Sequence, residues 1–263
     1  MISRWYKPHG YRGKIRAYSG VRRCPRSRIS QAPRPWIQLQ TIQMSDPTND
    51  VSILAPSGVS VVVPVFNERD NIAPLVAEIV AALRGRVPFE IIYVDDNSGD
   101  DGLAVLDGLR AKVPELRVLH HTAQSGQSTA IRTGVRAARA AWIATLDGDG
   151  QNDPADIPNL LAARDCASGQ IRLFAGWRVN RQDTASKRWA SRWANAIRSR
   201  MLRDDTPDTG CGIKLFEREA FLDLPYFDHM HRYLPALMQR AGWQTVSVPV
   251  NHRSRSTGVS KYN

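Results

Sequence analysis

A chain of 263 residues, 42% of them hydrophobic, is long enough to bury a real core and has the apolar content of an ordinary globular protein. Its net charge of +11 is concentrated at one end: residues 1–43 hold ten Lys/Arg and no Asp/Glu, leaving 26 basic against 25 acidic residues from Met44 onward, so the folded part lacks the charge of a nucleic-acid-binding domain. Cys24, Cys166 and Cys211 are too few and too scattered for a disulfide framework or a CxxC zinc site, which points to a reducing cytoplasm, and no run approaches the ~18 apolar residues that span a bilayer.

Residues 1–57 show neither helical nor strand period and are rich in Arg, Pro, Ser and Gly, which predicts a disordered basic extension. Three readings stay open for it: an arm for nucleic acid or lipid, a targeting peptide, or an upstream extension with Met44 as the start. Residues 58–263 are expected to form one domain. VSVVVPV (59–65), FEIIYV (89–94), LRVLHH (116–121) and AWIATL (141–146) are short β-branched apolar runs. Between them lie the helical patterns NIAPLVAEIVAALRG, DGLAVLDGLRAKV and STAIRTGVRAARA. This alternation predicts an α/β fold with a parallel sheet and helices on both faces. After Ile171 the rhythm breaks: IRLFAGW reads as a strand, residues 183–204 as a long basic helix, IKLF (213–216) as a short strand, YLPALMQRAG as a helix and WQTVSVPV as a last strand. The polar segment NHRSRSTGVSKYN follows.

Ligands of such sheets sit beyond the strand C-termini, so the loops there carry the functional reading. The first, PVFNERDN, contains no glycine, which excludes a dinucleotide cradle, and no GxxxxGK[ST] occurs anywhere. Pro64 stiffens the strand exit, while Glu68 and Asp70 offer acceptors near the helix start; alternatively Asn67 or Asp70 caps that helix. In the second loop Asp95 and Asp96 stand where a base or ribose could donate to them, or where they form a capping turn. In TLDGDGQND, Asp147 and Asp149 flank Gly148 and precede Gln151, an oxygen donor set suited to Mg2+ or Mn2+ and, through it, to a diphosphate. Asp153 before Pro154 reads as a helix cap.

Taken in order, VSVVVPVFNE, VDDNSGD, SGQSTAIRTG and TLDGDGQNDP resemble the family 2 glycosyltransferases. These have the GT-A (nucleotide-diphospho-sugar transferase) fold, a mostly parallel central sheet with helices on both faces. The DGDGQ form, GWR at 176–178, KRWASRWAN and RSRSTGVSKY are similar to the branch containing dolichol-phosphate mannose synthase and bacterial polyprenyl-phosphate glycosyltransferases. The resemblance covers residues 59–263. It implies that Pro64, Phe66, Glu68 and Asp96 hold the nucleoside with Asp95 nearby, and that Asp147, Asp149 and Gln151 meet the metal, ribose and diphosphate. The implied reaction is inverting transfer from a GDP-mannose or UDP-sugar type donor to a polyprenyl phosphate, with peripheral contact at the inner face of the membrane; a saccharide or lipid A type acceptor is the alternative.

A lipid phosphate is already ionised and needs no general base, but it needs cations. Arg178, Lys187, Arg188, Ser191, Arg192, Arg255 and Lys261 are the candidates, with Arg178 also counted beside Asp147 and Asp149 as catalytic. A solvated basic face is the alternative for any one of them. Trp189 and Trp193 are core or membrane-interface residues. Asp208 and Cys211 mark an acceptor-side loop, with Cys211 read as a small packed side chain; His229 and His231 either contact metal or phosphate or pack at a helix start. Arg132 to Gly134 are expected to serve helix packing alone. No QxxRW motif is present, which argues against a processive polymerase.

Overall fold

A computed structural model describes residues 54, 57–167, 170–178, 206–251 and 253. The basic extension apart from residues 54 and 57, the helix expected at 183–204 with Lys187, Arg188, Trp189, Ser191, Arg192 and Trp193, and also Arg255 and Lys261, lie outside the described residues.

The run Val59–Val65 forms β1, buried at every position, and Phe89–Asp95 forms β2, equally buried. Continuous burial is what strands covered on both faces require. β3 (Leu116–His120), β4 (Trp142–Thr145), β5 (Ile171–Arg178), β6 (Lys214–Glu217) and β7 (Gln244–Val250) complete one sheet in the order β3-β2-β1-β4-β6-β5-β7. All neighbours pair in parallel except β6, which runs antiparallel to both β4 and β5. Chain order reverses between β1 and β4, and the crevice opened by such a reversal is where α/β sheets take their ligands.

Side-chain alternation along β1 divides the core. Val61, Val63 and Val65 pack with Ile72 and Ile79 of α1 (Arg69–Leu83), Leu106 of α2 (Gly102–Arg110) and Leu160 of α4 (Ile157–Cys166). Val62 faces the other way, against Ala130 and Val135 of α3 (Gln127–Ala137), Phe221 of α5 (Arg218–Leu222) and Met238 of α6 (Leu234–Arg240). Gly134 lets α3 lie close on the sheet, since a Cβ there would meet Val62 and Val94; its role is packing, as the sequence suggested.

The helix starts differ from expectation in one place. α1 begins at Arg69, and neither Asn67 nor Asp70 caps it: the N-cap is Glu68, without a side-chain capping bond. Asn67 instead adopts φ 53° and accepts a hydrogen bond from the Gly99 amide at 2.7 Å, because it is recruited to hold the neighbouring loop. Asp153 does cap, accepting from the Ala155 amide at 3.0 Å with Pro154 following, and opens a 3-10 turn that leads into α4. Among the described residues no helix is long and apolar enough to cross a membrane.

At the N-terminal end of the strands, the buried Glu90 carboxylate accepts from Ser60 Oγ (2.6 Å), the Arg139 amide (2.6 Å) and Arg117 (2.6 Å). Removing it strands a buried hydroxyl and an amide and leaves Arg117 without its carboxylate. Glu90→Ala is therefore expected to cost about 3 kcal/mol of unfolding free energy, read as a lowered urea midpoint; a loss within about 0.5 kcal/mol would show that the cluster does not hold the sheet.

Candidate active site

The parallel strands deliver their loops to one edge, and β6, being antiparallel, starts at that same edge. Thr145 near the end of β4 is paired with Lys214 at the start of β6, and Thr145 Oγ1 donates to the Gly212 carbonyl at 2.9 Å. The segment entering β6 is thereby laid against the loop leaving β4. Asp147 is fixed from three sides: Gln127 Nε2 donates to its Oδ1 at 2.8 Å, its own amide donates to Asn152 Oδ1 at 3.0 Å, and Gly212 passes so close that a Cβ there would collide with its carboxylate. Gly148 is equally confined, since a Cβ would lie 2.9 Å from the Pro64 carbonyl. Gly150 has φ 72°, and the Gln151 amide donates back to Asp149 Oδ1 at 3.1 Å. Gly148 and Gly212 are thus required by close approach, and Gly150 by its positive φ.

Pro64 is buried in β1, and Phe66 and Glu68 are half-buried just beyond it. Glu68 accepts from Asn71 Nδ2 at 2.7 Å. This loop is stitched to the next one: the Asn67 amide donates to Ser98 Oγ and the Arg69 amide to Asp100. Asp95 and Asp96 are both buried, each with a histidine from the end of β3. His120 Nδ1 lies 2.7 Å from Asp95, which also receives the Ser98 amide. His121 Nδ1 lies 2.8 Å from Asp96, whose two oxygens further accept the Ser125 and Gly126 amides at 2.9 and 2.8 Å. Asp96 therefore anchors the turn that presents Gln127 to Asp147.

On the other flank, Arg178 at the end of β5 makes a two-point ion pair with the buried Asp208, Nε and one terminal nitrogen donating at 2.6 and 2.7 Å. This pairing raises the guanidinium pKa further. Cys211 is fully buried, burial pushes its thiol pKa up, and a Cβ at Gly176 would touch its Sγ; it packs, as read from the sequence. Lys214 is buried too, its ammonium donating to the Cys211 carbonyl, and burial lowers its pKa against the opposing pull of Cys211 and Asp147. A narrow cavity connects Asp147, Gln127, Lys214 and His231. His231 is hydrogen-bonded to Ser128 Oγ at 2.7 Å, while His229 stays exposed.

Several residues at this site escaped the sequence reading, among them His120, His121, Gln127, Asn152 and Lys214. Gln127 and Asn152 look like ordinary loop polars until the fold sets them beside Asp147. Lys214 had a visible signal: it is the one charge in the strand IKLF and alternates with Phe216, a core residue.

Asp147, Asp149 and Gln151 supply only oxygen donors of the kind that Mg2+ and Mn2+ favour. Burial, then the charge of Asp149, hold the Asp147 carboxyl above the usual carboxylate range. The turn thus carries a concentration of negative charge that a divalent cation would relieve, and the residues fit one. Among the described residues no group of three or more His/Cys/Asp/Glu is gathered at one point, so the donor set of the turn is two carboxylates and an amide oxygen.

Residues 60–224 match the family described as Glycosyl transferase family 2. Over 217 residues the chain is 35% identical to the dodecaprenyl-phosphate galacturonate synthase of Rhizobium johnstonii, covering 77% of this chain and 61% of that protein. It is 32% identical to the undecaprenyl-phosphate 4-deoxy-4-formamido-L-arabinose transferase of Sodalis glossinidius, covering 78% and 63%. The chain thus spans just over three fifths of the length of these relatives. Among solved structures, the mannosyltransferase of Pyrobaculum calidifontis in complex with GDP-Man and Mn2+ aligns with a TM-score of 0.56 at 19% identity, over 76% of this chain and 57% of that one. Glucosyl-3-phosphoglycerate synthase of Mycobacterium tuberculosis, in complex with Mn2+, UDP and its product, aligns with a TM-score of 0.56 at 21% identity, over 75% and 72%. At such identities the likeness shows the fold, and it is the GT-A fold expected from the motifs.

Burial, reinforced by the nearby charge of Lys214, depresses the His231 pKa from 6.5 to about 3. The unfolded chain then binds a proton that the folded chain refuses, so stability present above pH 6.5 is lost as pH falls toward 3, by at most about 1.4 kcal/mol per pH unit. His231→Asn is expected to flatten the fall in Tm between pH 6.5 and 4 measured by calorimetry; parallel curves for variant and parent would contradict a neutral, half-buried imidazole.

Proposed function

The chain belongs to glycosyl transferase family 2, and from that membership we propose that it moves a sugar from a nucleotide-sugar donor to a polyprenyl phosphate at a membrane surface, using Mg2+ or Mn2+. The observation that carries this reading is the Asp147-Gly148-Asp149 turn, held between Gly212 and the Pro64 carbonyl at the crevice where the sheet reverses order. The polyprenyl-phosphate acceptor is supported by the names of both relatives, and the divalent metal by the solved complexes with Mn2+.

In the proposed reaction Pro64, Phe66 and Glu68, with Asp95 and Asp96 behind them, form the nucleoside end of the site. Asp147, Asp149 and Gln151 form the diphosphate end and would hold the cation. When bound, that cation offsets charge developing on the departing diphosphate. Gln127 and Asn152 keep Asp147 from swinging away, which matters because a misplaced ligand forfeits preorganisation. Arg178, aimed by Asp208, belongs to the acceptor side together with Lys187, Arg188, Ser191, Arg255 and Lys261. An acceptor phosphate oxygen attacks the anomeric carbon opposite the leaving group, the glycosidic C–O bond to the diphosphate breaks, and the configuration inverts. No side chain needs to remove a proton, since the phosphate arrives ionised.

Purified full-length protein is to be incubated with radiolabelled UDP- and GDP-sugars, Mn2+ or Mg2+, and either undecaprenyl phosphate or saccharides. A lipid-linked product with one donor is expected. Asp149→Ala and Gly212→Ala should each reduce its formation on the order of 10²–10³-fold, the first by removing a ligand and the second by displacing Asp147. Label passing only to saccharides, or to no acceptor, would overturn the acceptor assignment.

A further inference from the structure

Arg253, beyond the last strand, reaches two carboxylates that no local rule would bring together. One terminal nitrogen lies 2.7 Å from Glu78 Oε2 in α1, and the other 2.7 Å from Asp153 Oδ1 at the end of the carboxylate loop. Its backbone amide donates to the Gln151 carbonyl at 3.1 Å. Two residues earlier, Asn251 donates from its amide to Asp156 Oδ2 at 2.7 Å and from its side chain to Asp156 Oδ1 at 3.3 Å. The chain leaving β7 is therefore laid across residues 151–156 and bonded to them at four points on the loop side, with Glu78 as the fixed post behind.

We infer that Arg253 is a positioning residue for the cation and diphosphate end of the site, holding Gln151 and the exit of the Asp147–Gln151 turn against α1. The inference rests on the proposed metal and donor role of that turn. Two observations give it content. Arg253 and Glu78 are each about 40% exposed at the side chain, so their pairing adds little to overall stability. Yet the bonds fall on the peptide of Gln151 and on Asp153, just past a turn in which the charge of Asp149 bears on the Asp147 carboxyl, and where Gly150 at φ 72° leaves the backbone free to relax. A guanidinium fork bridging two separate elements fixes distance and direction in a way that a single ammonium does not.

The test is Mn2+ titrated into the full chain, with and without UDP, and followed by the EPR signal of the free ion, beside thermal unfolding of the same samples. Parent protein should bind Mn2+; if it does not, the reading of the turn as a metal site fails and the inference falls with it. Given binding by the parent, Arg253→Ala is expected to weaken Mn2+ affinity about 10-fold with Tm lowered by no more than Arg84→Ala lowers it. Arg84 and Glu115 form a comparable exposed pair far from the site, and Arg84→Ala should leave Mn2+ affinity unchanged. Arg253→Lys should restore less than half of the lost affinity on a logarithmic scale, since it cannot bridge both carboxylates, and Asp153→Asn should add little to Arg253→Ala in a double-mutant cycle. Parent-like Mn2+ binding by Arg253→Ala, or an equal loss in Arg84→Ala, would overturn the inference while leaving the metal reading intact.

Discussion

The Asp147 end of the candidate site depends on the antiparallel pairing of β6 with β4. A parallel strand in that place would begin at the opposite end of the sheet and carry Gly212 and Lys214 away from Asp147. Because β6 runs backwards, its entry loop arrives where β4 exits, and the Thr145–Lys214 register brings Gly212 against the Asp147 carboxylate. The same reversal sets β5 parallel to β4 one position further out, which carries Arg178 to the functional edge and into its pair with Asp208.

Most of the sheet was legible because its strands are buried on both faces and so appear as unbroken β-branched runs. VSVVVPV coincides with β1, and IKLF and WQTVSVPV lie within one residue of β6 and β7. Turn chemistry was readable where one residue has one job, as with Asp153 before Pro154. It failed at Asn67, whose side chain could serve the next helix or the next loop, and the choice is made by Gly99, 32 residues on. The short α5 went unread, since five residues offer too little periodicity to register.

The two carboxylates of the central turn could be picked out because glycine and repulsion are written locally. Their supporting partners could not. Gln127, Asn152 and Gly212 reach Asp147 from three different segments, and only the sheet order makes them neighbours. Asp95 and Asp96 illustrate the converse: a DD pair at a strand end announces itself, while the two histidines that face it are hidden inside the run LRVLHH. Arg253 is legible as a charge near the end of the described chain and nothing more, until the fold shows what it spans.

The sheet has two ends with different duties. At one, Glu90 gathers a hydroxyl, an amide and a guanidinium into a closed polar knot; at the other, the carboxylates of the turn remain in tension. Separating the two means that loops at the reactive edge are at liberty to diverge, taking up new donors or acceptors by small insertions and exchanges, while the opposite rim keeps the strands in register. A lineage built on this plan can explore chemistry at one end of the barrel-less sheet without renegotiating its foldability at the other.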